Sequence, residues 1–272
     1  MNWSDAKINI NSLDIHYYRS SREASGKAGP AVVMAHGITD SGRTWDSLAE
    51  VLEKSFDVLS LDARGHGFSD KPEHGYGSRD HAEDLIALIG ALELGHPALI
   101  GHSMGADNVA MLAHLEPGLP RCLVLEDPPW RASGKERDTG ERAEQWKEEI
   151  LLRQSHSREE VIAEGRELHP GWRDEEYGPW ADSKLQVTAR VMQYLTRRTP
   201  WVTMVRSIRC PTLLVTGEPE REAIVTRETA EEICRMNEAF EWVRIEGAGH
   251  IIHRDRFEPY CEAVMEFLSR HK

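Results

Sequence analysis

Residues 98–105 read Ala-Leu-Ile-Gly-His-Ser-Met-Gly, and this stretch decides the fold. A short apolar run leads directly into a Gly-x-Ser-x-Gly motif, and helix-like residues 106–115 follow it. Side chains two positions before and after the serine would collide in so sharp a strand-to-helix turn, and glycine stands at both places. The turn predicts a hydroxyl held above a sheet edge, so Ser103 is the candidate nucleophile. A serine that only caps the helix is the alternative interpretation.

Apolar runs of similar length occur on both sides of the motif. They lie at residues 31–35, 58–61, 122–125 and 212–215. Runs without polar alternation are typical of strands that are covered on both faces, as in a parallel sheet. Alternating apolar residues between 8 and 17, with a turn at Asn11 and Ser12, predict an antiparallel start. Helical periodicity between the runs therefore favours an α/β fold, with a mainly parallel sheet and helices on both faces.

One long segment, residues 131–206, breaks this alternation because it is highly charged and contains no strand-like run. Helical stretches are predicted at 141–154 and after a capping box that begins at Ser157. Five of the eight tryptophans fall in or beside the segment: Trp130, Trp146, Trp172, Trp180 and Trp201. We therefore assign residues 1–129 and 207–272 to a core domain and residues 130–206 to a helical cap (lid) inserted into it.

The composition excludes several classes of protein. The 272 residues contain 33 Lys and Arg against 46 Asp and Glu, a net charge of −13, which argues against binding to nucleic acid or to an anionic membrane. No apolar run approaches the roughly 20 residues of a membrane span, and the N-terminus does not resemble a secretory signal. The four cysteines form no CxxC pair and no cluster with histidine. We expect a cytoplasmic protein with reduced thiols and no metal.

A serine nucleophile needs a base within hydrogen-bonding reach, and the chain has thirteen histidines. His250 has the best context, because it follows the short glycine-containing loop at 246–249 after a strand-like alternation. The glycines allow this loop to bring an imidazole across the top of the sheet. His253, three residues further on, is the alternative base, although a solvated or helix-start histidine is the preferred interpretation for it.

Acyl transfer also requires donors for the oxyanion of the tetrahedral intermediate. The loop that begins at His36 follows the predicted strand at 31–35, so a backbone amide there can face the amide after the nucleophile. We assign the two donors to the N–H groups of Ile38 and Met104.

Four motifs in order along the chain resemble the α/β-hydrolase fold family. They are His36-Gly37, residues 62–69, the serine motif at 101–105 and Gly249-His250. The resemblance covers nearly the whole chain. It implies an eight-stranded sheet, the nucleophile turn after the fifth strand and a variable cap after the sixth, and it gives residues 62–69 a scaffold role without catalysis.

The acid that orients the histidine most often follows the seventh strand in this family, in a Gly-x-x-Asp context. Here residues 217–221 read Gly-Glu-Pro-Glu-Arg, so Glu220 occupies the matching place. Some members, including certain haloalkane dehalogenases and lactone hydrolases, take the acid from the end of the sixth strand, which aligns with Asp127. We expect Asp127 to be the acid and keep Glu220 as the alternative, with Glu126 and Glu218 also open.

The expected function is hydrolysis of a carboxylic ester or lactone through an acyl-enzyme, with no cofactor. The resemblance to lactone-cleaving members makes an acyl-homoserine lactone a possible substrate. Gly37, His102 and Trp130 are the candidate substrate contacts, and core packing is the alternative for Trp130. A serine in place of an aspartate argues against dehalogenase and epoxide-hydrolase chemistry. Hydrolysis of a C–C bond in a diketone, or slow-turnover ligand binding, are the alternative functions.

Overall fold

The computed structural model describes residues 3–20, 29–132, 139–196 and 199–272. Eight strands form one sheet in the order β1-β2-β4-β3-β5-β6-β7-β8. They are β1 (Trp3–Ile10), β2 (Leu13–Ser20), β3 (Ala31–Ala35), β4 (Asp57–Leu61), β5 (Ala98–His102), β6 (Cys122–Glu126), β7 (Thr212–Thr216) and β8 (Phe240–Arg244). Strand β2 is antiparallel to both of its neighbours, and all other pairs are parallel. The expected fold class is confirmed.

Helices cover both faces of this sheet. Within the described residues they are α1 (Asp46–Leu52), α2 (Ser78–Ala91), α3 (Met104–Leu115), α4 (Thr139–Arg153), α5 (Arg158–Leu168), α6 (Asp174–Gln186), α7 (Trp201–Ser207), α8 (Arg227–Met236), α9 (Ile252–Asp255) and α10 (Phe257–Arg270). None of these helices combines the length and apolarity that a bilayer crossing needs.

Two hydrophobic clusters lie on opposite sides of the central strands. Val33 and Leu99 pack in one cluster with α2, α3, α7 and α8, whereas Val32 and Ile100 pack in the other with α1 and α10. Consecutive residues of one strand thus enter different clusters, because side chains alternate across a sheet. This two-sided burial is the reason why the strands read as unbroken apolar runs.

Among the described residues between β6 and β7 there are four α-helices, α4 to α7, and a 3-10 helix (Ala189–Thr196). Helix α5 begins as its capping box predicted: Ser157 accepts from the Glu160 N–H at 3.3 Å, and the Glu160 carboxylate accepts from the Ser157 N–H at 2.7 Å. Met204 and Val205 of α7 pack in the same cluster as the sheet. The proposed division into a core at 1–129 and 207–272 and a cap at 130–206 stays a prediction.

Candidate active site

The turn between β5 and α3 holds Ser103 in a strained conformation, with φ 52° and ψ −115°. A Cβ on Gly101 would lie 2.4 Å from the Gly105 carbonyl oxygen, and a Cβ on Gly105 would lie 2.1 Å from the Ala35 carbonyl oxygen. Both distances are too short for a side chain, so the two glycines allow the turn to form and α3 to begin against the end of β3. Ser103 stands at the carboxyl end of the central strand.

His250 joins the serine to a carboxylate. Its Nε2 lies 3.0 Å from Ser103 Oγ, and its Nδ1 lies 2.6 Å from Asp127 Oδ2. The Asp127 side chain is fully buried, whereas the imidazole is 28% exposed. A hydroxyl, an imidazole and a buried carboxylate thus lie in hydrogen-bonding sequence, the geometry that can activate a serine hydroxyl.

Asp127 is fixed by the loop that follows β7. The N–H groups of Ile224 and Val225 donate to its two carboxylate oxygens at 2.8 and 2.9 Å, and its own N–H donates to the Val215 carbonyl at 2.9 Å. Its φ of 39° turns the chain sharply after β6. These amides stabilise the ionised carboxylate in a buried place and leave Oδ2 directed at the imidazole.

The other candidate acids lie elsewhere. Glu220 is exposed on a short 3-10 helix (Pro219–Arg221), and the Glu218 carboxylate accepts from Arg221 at 3.1 Å. Glu126 is fully buried and accepts from both the backbone N–H and the ring Nδ1 of His253, each at 2.9 Å. The alternative acid Glu126 and the alternative base His253 thus form a second pair beside the first.

His253 is buried, at 4% exposure, so it is not solvated, whereas its expected place at the start of a helix is confirmed. Its ring lies against Trp45, with centroids 4.5 Å apart, and it is the second residue of α9. The hydrogen bond from its backbone N–H to Glu126 joins the start of α9 to the last residue of β6. Sequence spacing alone gave no sign of this contact.

Burial lowers the pKa of His250, but the hydrogen bond and the charge of Asp127 raise it by more, so the net pKa lies above the ordinary value for histidine. Burial lowers the pKa of His102 to about 3, and this imidazole is therefore neutral at pH 7. Two histidines next to each other in space thus have opposite shifts. Of these two, His250 has a carboxylate within hydrogen-bonding distance, at Asp127, whereas His102 Nδ1 lies 3.9 Å from the Asp40 carboxylate.

His102 was predicted to contact substrate, and the structure buries it at 3% exposure. Its Nε2 lies 2.9 Å from the backbone carbonyl oxygen of His250, which places a hydrogen bond between the serine turn and the histidine loop. A Cβ on Gly37 would lie 2.8 Å from His102 Nδ1, so the loop that carries Gly37 packs closely on this ring. Their role in substrate binding stays a prediction.

Trp130 is also buried, at 1% exposure, in the cluster that covers the sheet. Its indole N–H donates to Asp107 of α3 at 2.8 Å, and its ring stacks on Trp201. This placement favours core packing over a pocket wall for Trp130.

The two candidate oxyanion donors lie on neighbouring segments. Met104 is the first residue of α3, and Ile38 follows β3 on the loop that begins at His36. In the part of the chain that the structure describes, neither N–H donates to a protein acceptor. The Ile38 carbonyl faces away, because it accepts from His66 Nε2 at 2.7 Å. Free amides at this edge suit a developing negative charge.

A buried ion cluster beside this loop was missed from the sequence. It consists of Asp40, Glu176, Lys184 and Arg254, which are all less than 8% exposed. Lys184 donates to Asp40 at 2.8 Å, and Arg254 donates to Glu176 at 3.2 Å. Lys184 and Glu176 lie on α6, within the charged segment. No local pattern separates these two residues from the many solvated charges around them.

Comparisons of the sequence and of the structure with known proteins identify a family and related folds. A sequence model of the alpha/beta hydrolase family matches residues 32–263. The 2-(acetamidomethylene)succinate hydrolase of Mesorhizobium japonicum is 42% identical over 100 residues, which are 37% of this chain and 36% of that protein. The N-formylmaleamate deformylase of Pseudomonas putida is 39% identical over 130 residues, 47% of this chain and 46% of that protein. The matched stretches thus cover less than half of either relative.

A crystal structure of E-2-(acetamidomethylene)succinate hydrolase superposes with a TM-score of 0.81. The superposition covers 98% of this chain and 100% of that one, at 24% sequence identity. At this identity the likeness concerns the fold alone.

Proposed function

Because the chain belongs to the alpha/beta hydrolase family, we propose that it is a serine hydrolase that cleaves carboxylic esters or lactones through an acyl-enzyme. The observation that supports this proposal is the single imidazole of His250, which lies 3.0 Å from Ser103 Oγ and 2.6 Å from Asp127 Oδ2. A base held between a hydroxyl and a buried carboxylate is the arrangement that covalent acyl transfer requires.

In the proposed first step, His250 Nε2 accepts the proton of Ser103 as Oγ attacks the carbonyl carbon. Asp127 stabilises the imidazolium that forms and holds the ring so that Nε2 faces the hydroxyl. The N–H groups of Ile38 and Met104 donate to the oxyanion. His250 then protonates the leaving alcohol, the C–O bond breaks, and the acyl group remains on Ser103.

In the second step, His250 removes a proton from water, and the resulting attack on the acyl-enzyme releases a carboxylic acid and restores Ser103. A lactone differs only in that the leaving alcohol stays attached to the acyl group. The acyl-homoserine lactone considered above belongs to this class, and this chemistry uses no cofactor.

The experiment measures release of p-nitrophenol from acetyl and butyryl esters by the wild type and by Ser103→Ala. We expect turnover by the wild type and a loss of about 10⁴-fold or more in the variant. Intact-mass measurement after rapid acid quenching should give an acyl adduct on the wild type alone. Equal hydrolysis by the two proteins would contradict the proposal.

A second candidate function comes from the two named relatives. Their printed names denote an acetamido compound and an N-formyl amide, each built on a carboxylate skeleton. The same triad can cleave such an acyl C–N bond, with nitrogen in place of the alcohol oxygen as the leaving atom. N-acyl compounds with carboxylates therefore belong in the substrate panel beside esters and lactones.

The remaining alternatives have their own readouts. Cleavage of a dienoic diketone by the wild type, with no turnover of esters, lactones or amides, would favour the C–C hydrolase. A stoichiometric burst of p-nitrophenol without steady turnover would favour the slow-turnover binding protein. Steady release from an ester or a lactone would exclude that last interpretation.

A further inference from the structure

Lys184 connects helix α6 to the loop that carries the candidate oxyanion donor. Its Nζ lies 3.0 Å from the Thr39 carbonyl oxygen, 2.8 Å from Thr39 Oγ1 and 2.8 Å from Asp40 Oδ1. An ammonium group has three N–H donors, so one lysine satisfies all of them on two consecutive residues. These residues directly follow Ile38.

The contacts extend from this ammonium to the Ile38 amide. The Asp40 N–H donates to the Gly37 carbonyl at 3.0 Å. The Gly37 carbonyl and the Ile38 N–H belong to one planar trans peptide unit, so they point in opposite directions. The Gly37 carbonyl oxygen also lies 2.8 Å from His36 Nδ1. Asp40 is thus one of two groups that hold this carbonyl, and with it the direction of the Ile38 N–H.

The charges around Asp40 make Lys184 its principal partner. The Arg254 Nη1 and the His102 Nδ1 are each 3.9 Å from an Asp40 oxygen, beyond hydrogen-bonding distance. Arg254 donates instead to Glu176. Burial raises the pKa of Asp40, but the charges of Lys184 and Arg254 lower it by a larger amount, so the net pKa lies well below its usual range. Among the residues that the structure describes, Lys184 is the cation that donates a hydrogen bond to this buried carboxylate, so its loss leaves the charge without one.

We propose that Lys184 is a positioning residue, whose ammonium holds the loop at 37–40 so that the Ile38 N–H points at the reacting carbonyl. Stabilisation of the oxyanion then depends on α6 being docked on the sheet domain. This inference rests on the proposed serine hydrolase function, because it gives Lys184 a role in that reaction. Lys184 does not touch the substrate and acts through Asp40 and Thr39.

The test compares Lys184→Met and Lys184→Arg with the wild type. Loss of the ammonium should lower kcat by about 10-fold to 100-fold, because a misaligned donor stabilises the oxyanion of the transition state less and leaves binding of the ground state almost unchanged. KM should change by less than about 3-fold, since the contact is not to substrate. The arginine variant, which keeps the charge, should recover part of kcat.

Phenylboronic acid gives a second readout, because its tetrahedral adduct with a serine hydroxyl places a negative oxygen where the oxyanion forms. Its affinity should fall in Lys184→Met by about the same factor as kcat. Arg158→Met is the matched control, since Arg158 pairs with Asp182 between α5 and α6 on the exposed surface. The control should keep wild-type values of kcat and boronate affinity.

Hydrogen exchange of the amides at 37–40 tests the positioning role without any substrate. Exchange should be faster in Lys184→Met and unchanged in Arg158→Met. If Lys184→Met does not fold, the double variant with Asp40→Asn, which removes both charges, should fold and give the same losses.

Unchanged kcat or unchanged exchange in the folded methionine variant would overturn the inference, even if the wild type hydrolyses esters. If the wild type shows no turnover, or turnover that Ser103→Ala retains, the proposed function is overturned instead. The exchange measurement would then decide alone whether Lys184 holds the loop.

Discussion

The Nδ1 atom of His250 lies 2.6 Å from Oδ2 of Asp127, a residue that follows the sixth strand of the sheet and not the seventh. The loop after the seventh strand still contributes, because the N–H groups of Ile224 and Val225 bind the same carboxylate. The seventh-strand loop thus supplies backbone donors where it would otherwise supply the acid. The contributions of the two strand ends can therefore be tested by separate mutations.

Asp127→Asn should lower kcat by about 10³-fold to 10⁴-fold, because an amide cannot stabilise the imidazolium and can hold the ring in the wrong tautomer. Glu220→Gln should change kcat by less than about 2-fold, since this side chain is exposed at the surface. Ester turnover at pH 7.5 measures both. A large loss of kcat with Glu220→Gln and a small loss with Asp127→Asn would assign the acid role to Glu220, after the seventh strand.

The pH dependence of kcat/KM should report the raised pKa of His250. The base must be neutral to accept the serine proton, so activity falls as pH decreases through this pKa. The acid limb should therefore lie above the ordinary histidine value of about 6.5. In Asp127→Asn the limb should move to lower pH, because the charge that stabilises the proton is gone. A limb at or below 6.5 in the wild type would contradict the shift.

Much of the fold could be predicted from local patterns. Strands such as β5 and β6 are buried on both faces, and this burial leaves an unbroken apolar run in the sequence. Helix starts are less evident from the sequence: α2 begins at Ser78, directly after Gly77, and the Asp80 carboxylate accepts from the Gly77 N–H. The continuous helix α6 contains Pro179, a residue that ordinarily ends a helix.

The candidate site could be predicted only where a motif marks it. Ser103 and His250 stand in glycine-rich turns with a distinctive order along the chain. The contact between Lys184 and Asp40 joins residues 144 positions apart, and neither residue has an unusual local sequence. Nothing in a charged helix tells which of its lysines is buried, because burial is decided by tertiary packing. Long-range ion pairs therefore came from the structure alone.

Gly105→Ala should disrupt the serine turn. A methyl group there would lie 2.1 Å from the Ala35 carbonyl oxygen, and its next neighbours are backbone atoms of Ala35 and His36, which cannot move aside as a flexible side chain can. We expect the free energy of unfolding to fall by about 3 kcal/mol or more and ester hydrolysis to be lost. Gly118→Ala is the matched control, because nothing lies within 4 Å of its Cβ position. Equal urea midpoints for the two variants would show that the turn tolerates a side chain.

Glu126→Gln should weaken the second carboxylate–histidine pair and change how stability depends on pH. Burial raises the pKa of Glu126, but the charges of His253 and His102 and the hydrogen bonds from His253 lower it to about 2. A lowered pKa stabilises the fold above the unfolded value of about 4.5, and the effect is lost as pH falls through about 2. The wild type should thus exceed Glu126→Gln in unfolding free energy at pH 7 by roughly 1–3 kcal/mol, the range for breaking a buried hydrogen bond to a charged group, and by less at pH 3. Urea unfolding at several pH values measures the difference, and Glu241→Gln, which changes a half-exposed carboxylate paired with Arg270, serves as control. A difference that does not narrow with acidification would mean that Glu126 acts by shape and not by charge.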